Sequence, residues 1–101
     1  MVMLLIDGLM AKSFDKKMWL TAFGEAISER RAYVAMTQQQ LADHSEVHRT
    51  YISDIERGSR NVTVTTVNRI AAALETTAAR IFIQADKKLI EWQRVEAAEG
   101  S

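Results

Sequence analysis

His44 and His48 stand four residues apart, the spacing that sets two metal ligands on one helical face. Ser45–Val47 between them reads as a turn, so they do not share that face, and no metal motif surrounds them. Asp54 and Glu56, two apart on a helix, point away from each other and make a poor carboxylate pair. Cysteine is absent, so there is no thiolate ligand or cysteine nucleophile. Neither a phosphate-binding glycine loop nor a nucleophile elbow appears. An enzyme, a metal and a cofactor are therefore not expected. What remains is recognition chemistry. Arginine, as at Arg49, is the usual bidentate reader of guanine O6 and N7, worth about 1–3 kcal/mol of discrimination. Gln38 stands at an expected helix start, where N–H groups and the dipole favour a phosphate. Arg57 and Arg60 suit phosphate contacts, which position a protein without specifying sequence.

These residues need short helices to hold them. Asp15 can cap a helix running from about Lys16 to Val34, with Trp19, Leu20, Phe23 and Ile27 as its apolar stripe. Thr37 and Gln40 have capping-box spacing, opening a helix Gln38–His44 with Leu41 and Ala42 inward. A helix His48–Arg57 follows, with Tyr51, Ile52 and Ile55 on its stripe and Gly58 closing it. Ser59, Arg60 and Asn61 form a polar loop. Thr63 caps a fourth helix, with Val64, Val67, Ile70, Ala71 and Leu74 inward. Thr76 or Thr77 caps a fifth, carrying Ile81 and Phe82. Two short capped helices joined by three or four residues make a helix-turn-helix, whose second helix presents its first turn to the major groove. Arg49 and Thr50 occupy that tip, and Ala42 is small where the two helices must approach.

The 101 residues suit one domain. A 48% hydrophobic and 26% charged composition excludes wholesale disorder. Proline is absent, which favours helix. Lys plus Arg and Asp plus Glu are 13 each, so any nucleic-acid binding must rest on a local basic surface. Met1–Ile6 is apolar but far shorter than the roughly 20 residues a membrane span needs. It also lacks the basic start of an export signal. No membrane partner is expected, and a cytoplasmic location is. Residues 1–14 read as an N-terminal tail with an alternative start at Met10. Residues 15–85 read as the DNA-binding domain and 86–101 as a partly helical extension, frayed over Glu96–Ser101.

The run T-Q-Q-Q-L-A followed by V-H-R-T-Y-I-S-D-I-E-R-G-S-R-N, with I-A-A-A-L after it, resembles the lambda-repressor-like or Xre family of DNA-binding regulators. Within that family it is most similar to controller proteins of restriction–modification systems. The resemblance covers roughly Phe23–Phe82 and implies an all-α, compact five-helix domain that usually works as a dimer. It implies that Gln38 meets the DNA backbone, that Arg49 and Thr50 read bases, and that Tyr51 lies beside the sugar-phosphate. Arg57, Ser59, Arg60 and Asn61 match the loop along the phosphates. Gln39, His48 and Ser53 complete the expected DNA-binding set. Arg31 and Glu56 match a structural ion pair rather than an acid–base pair, since no second catalytic group accompanies them. Ala35 and Glu75 stand where the family often has glycine, and Val62 where proline is frequent.

Five short helices cannot easily bury every apolar residue after Thr77. Phe82, Ala85, Leu89 and Trp92 continue one stripe, and Ile83 and Ile90 lie on another side. Ile81, Phe82, Ile83, Leu89 and Trp92 are therefore the expected interface of a two-fold homodimer, matched to a palindromic operator. The expected partners are double-stranded DNA and a second copy. Repression would come from occluding a promoter, and activation would need contact with RNA polymerase. The alternative is an antitoxin-type module that neutralises a toxin with its apolar termini and regulates its own operon.

Overall fold

Each helix start is set by a side chain that accepts an orphan N–H. Asp15 Oδ1 accepts from Met18 N at 3.1 Å, opening α1 (Lys16–Tyr33). Thr37 Oγ1 accepts from Gln40 N at 3.0 Å, while Gln40 Oε1 accepts from Thr37 N at 2.8 Å. That reciprocal box opens α2 (Gln38–Ser45). His48 Nδ1 accepts from Thr50 N, opening α3 (Arg49–Glu56). Thr63 opens α4 (Val64–Ala73), and Thr77, rather than Thr76, accepts from Arg80 N at the start of α5 (Ala78–Glu99).

The computed structural model describes residues 14–99, and its described residues form these five helices without a strand. The tail expected over 1–14, with Met1–Ile6 and the alternative start at Met10, lies outside the described residues except for Phe14.

Three turns close with a non-glycine residue in the left-handed region: Ala35 (φ 56°), Glu46 (φ 58°) and Glu75 (φ 57°). The glycine departures at Ala35 and Glu75 therefore leave turn geometry intact, at a steric cost of about 1–2 kcal/mol each. Gly58 takes φ 73° after α3. A Cβ there would stand 2.8 Å from the Thr21 backbone, so that turn needs glycine twice over.

Phe23, Ile27, Leu41, Ile52, Ile55, Ile70 and Leu74 form a fully buried core drawn from α1 to α4. The longest helix, α5, lays Ile81 and Ala85 against it, with Leu89 and Trp92 packed at its edge. Trp19, Phe23 and Phe82 stack, their ring centroids 5.2–5.8 Å apart. Lys88 of α5 pairs with Glu29 of α1.

Three expectations are corrected here. Ile81 is only 3% exposed and belongs to the chain's own core, so it cannot form a dimer surface, and Leu89 and Trp92 are half-buried for the same reason. Val64 is 77% exposed rather than inward, because the first turn of α4 stands at the rim of the core, on the wall of an apolar groove. Glu96–Glu99, read as a frayed tail, continue α5.

Candidate nucleic-acid interface

The helix-turn-helix is made by α2, a left-handed turn at Glu46, and α3. Val47 N donates to Ala42 O at 3.2 Å, folding the turn back on α2. Leu41, Ala42 and Ser45 on α2 and Ile52 and Ile55 on α3 are buried. Burial of one side of α3 leaves Arg49 and Thr50 exposed at its N-terminal tip. His48, expected to touch DNA, uses Nδ1 to cap α3, which ties its ring to the same turn.

A polar network is built on Glu56, the last residue of α3. Arg31 Nε donates to Glu56 Oε2 at 2.7 Å, and a second guanidinium nitrogen donates to Oε1 at 3.0 Å. A third donates to the Met36 carbonyl at 2.9 Å. The bidentate hydrogen bond to Glu56 raises the Arg31 pKa, aided by the carboxylate's charge and opposed by burial. Gln38 Nε2 also donates to Glu56 Oε1, at 3.0 Å. The ion pair therefore fixes the rotamer of Gln38, the residue expected at the DNA backbone. Gln39 bonds Asp43 on the exposed face of α2.

At the same C-terminal end of α3, Arg57 donates to Ser53 Oγ at 2.6 Å and pairs with Asp54. Arg60 pairs with the other Asp54 oxygen at 3.4 Å, and its guanidinium lies 4.5 Å from the Tyr51 ring centroid. Tyr51 Oη donates to the Asn61 carbonyl at 3.3 Å. Ser59 Oγ donates to the Asp54 carbonyl. Ser53, Arg57, Ser59, Arg60 and Asn61 are thus drawn into one cluster with Tyr51.

Two groups that sequence reasoning passed over join this surface. Lys16 and Lys17 line a shallow depression together with Gly58, Ser59, Arg60 and Asn61. Their one local signal is that two lysines in the first turn of a helix oppose its dipole. Arg30 was also missed. It donates to the Leu74 and Glu75 carbonyls at 2.9 and 2.8 Å, satisfying the end of α4. Among the described residues, no group of three or more His, Cys, Asp or Glu could hold a metal, and no helix is long and apolar enough to cross a membrane.

A helix-turn-helix family model matches residues 27–81, more than half of the chain. The chain belongs to the helix-turn-helix family. The chain is 45% identical over 53 residues to the control protein C.BamHI of Bacillus amyloliquefaciens, covering 52% of this chain and 65% of that protein. The chain thus spans just under two thirds of that relative's length. Among solved structures, the clp gene regulator ClgR of Corynebacterium glutamicum superposes with a TM-score of 0.77 at 27% identity, covering 80% of this chain and 86% of that one. The restriction-modification controller protein C.Esp1396I, solved as a tetramer with its natural 35 base-pair operator, superposes with a TM-score of 0.66 at 36% identity. That match covers 71% of this chain and 95% of the controller.

Proposed function

We propose that this chain is a sequence-specific DNA-binding transcription regulator of the cytoplasm that takes up a roughly palindromic operator as a homodimer. One observation carries the reading. Arg49 and Thr50 are exposed at the N-terminal tip of a helix whose other side is locked into the core, and Arg57 and Arg60 follow its other end. A helix so held can enter the major groove with its first turn against base edges. Gln38 faces one stretch of backbone, while Lys16, Lys17, Arg57 and Arg60 supply the local positive field that the neutral overall charge withholds. The operator complex of the similar controller supports the same partner.

Of the residues first expected at the dimer surface, Phe82 and Ile83 remain exposed, and Ile90 joins them. Ile83 and Ile90 are 51% and 58% exposed, seven residues apart on one side of α5, with Phe82 at 37% beside them. These are apolar side chains that the core leaves uncovered, and a two-fold contact would cover them.

The test is selection of bound duplexes from a random pool, followed by footprinting. The expected result is a site of two related half-sites, their centres about 34–36 Å apart on one face of the duplex. Failure to enrich any sequence over the starting pool would overturn the reading.

A further inference from the structure

Asp54 is an acid set between two basic side chains of the proposed DNA surface, and it holds both at once. Arg57 pairs with its Oδ1 and Arg60 with its Oδ2. The Asp54 side chain is 19% exposed, whereas those of Arg57 and Arg60 are 62% and 48% exposed. The carboxylate therefore sits beneath two outward guanidinium groups. Arg60 is held from a second side by the Tyr51 ring, and Arg57 by Ser53 Oγ. The surface elsewhere does not need this acid. The Asp54 backbone carbonyl, not its side chain, accepts from Ser59 N and Ser59 Oγ at 3.0 Å, so the turn after α3 closes without the carboxylate.

We infer that Asp54 sets specificity. It is a positioning residue that anchors Arg57 and Arg60 and weakens their attraction for any phosphate that is not delivered to them in register. The inference rests on the DNA-binding reading above. Its physics follows from charge placement. Contact of arginines with phosphate is the sequence-independent part of binding. A fixed negative charge between two such arginines offsets part of their joint positive charge and repels an approaching phosphate. The penalty falls hardest on duplexes whose phosphates arrive out of register. On the operator, the base contacts of Arg49 and Thr50 deliver the phosphates to the donors that Asp54 holds in place, so the penalty is smaller there; on other sequences nothing does, and specificity is that difference. Asp54 thus widens the gap between operator and bulk DNA at the cost of absolute affinity.

The experiment compares wild type, Asp54→Asn and Asp54→Glu on the selected operator and on a mixed-sequence duplex of equal length, across a salt series. Asp54→Asn keeps the shape and removes the charge. It should tighten mixed-sequence binding about fivefold at low salt. It should also steepen log K against log salt by about one unit, the weight of one more neutralised phosphate. The operator should gain less, so that their ratio falls, and Asp54→Glu should recover wild-type behaviour. Adding Arg57→Gln and Arg60→Gln to Asp54→Asn should abolish the gain, which ties it to these arginines rather than to a change of fold. Thermal unfolding of each variant reports the fold separately. Mixed-sequence affinity and slope unchanged or lowered in Asp54→Asn would overturn the inference while leaving DNA binding in place. Wild type that binds neither duplex would overturn both.

Discussion

Gly24 of α1 rests directly on the Ile55 carbonyl of α3: a Cβ at Gly24 would stand 2.3 Å from that oxygen and 2.7 Å from the Glu56 carbonyl. Both neighbours are backbone, so they cannot swing aside as a side chain does. The contact draws α3 against α1 and brings Glu56 within reach of Arg31, two helical turns beyond Gly24. Gly24→Ala should therefore destabilise the fold by about 1–3 kcal/mol or more through overpacking. Helix propensity alone would favour alanine by about 1 kcal/mol. Chemical denaturation decides: a midpoint at or above that of the parent would mean the two helices can part without loss.

Arg31→Ala leaves the Glu56 carboxylate, 7% exposed, without its cation. A loss of about 2–3 kcal/mol is expected, below the value for full burial because Arg31 keeps 20% exposure. Gln38 should also lose its fixed rotamer, so operator affinity should fall further than stability alone requires. The pH dependence follows from the raised Arg31 pKa. The arginine's contribution is complete below its unfolded pKa and is lost only as pH rises through the folded one, in strongly alkaline solution. Melting temperature measured from neutral to mildly alkaline pH should show no decline traceable to this group.

Arg60→Ala removes an expected phosphate contact while leaving Arg49 in place. Binding should weaken by a similar factor on every sequence, and the salt slope should become shallower by about one unit. Titrations at several salt concentrations on two unrelated duplexes read both quantities. A slope equal to that of the parent would place Arg60 outside the phosphate set.

Assembly and base reading should separate cleanly. Ile83→Glu with Ile90→Glu places carboxylates on exposed positions of α5, so the chain should stay folded yet sediment as a monomer, with weaker operator binding. Arg49→Ala should leave the assembly unchanged and relax preference at one base pair per half-site by about 1–3 kcal/mol. A double variant that still sediments with the parent would remove this face of α5 from the interface.

Ala35 sits at φ 56°, a region that costs side-chain-bearing residues and not glycine. Ala35→Gly should raise stability by about 0.5–1 kcal/mol, after allowance for the greater freedom of glycine in the unfolded chain. A lowered melting temperature would show that the Ala35 methyl contributes packing that outweighs the strain.

Local chemistry along the chain dictates the helices. The caps at Asp15, Thr37, Thr63 and Thr77, the glycine stop at Gly58 and the apolar stripes follow from contacts three or four residues apart, and these specify five helices and the turn between α2 and α3. The pairing of Arg31 with Glu56 was legible only through resemblance, since no spacing rule joins residues 25 apart. Other features depend on how the helices pack. Ile81 and Phe82 are adjacent in sequence, yet one is sealed in the core and the other is 37% exposed, because α5 is one long helix pressed along α1. Ile83 and Ile90 face outward by the same rotation. Gly24 reads as a helix weakness until α3 is seen lying on it. Arg30, 44 residues from Leu74, finds its carbonyl only once α1 and the end of α4 meet. Lys16 and Lys17 become part of a basic surface because the fold returns the loop after α3 to the start of α1. Helix periodicity fixes which residues share a face, but which face meets which neighbour is set by packing over the whole chain.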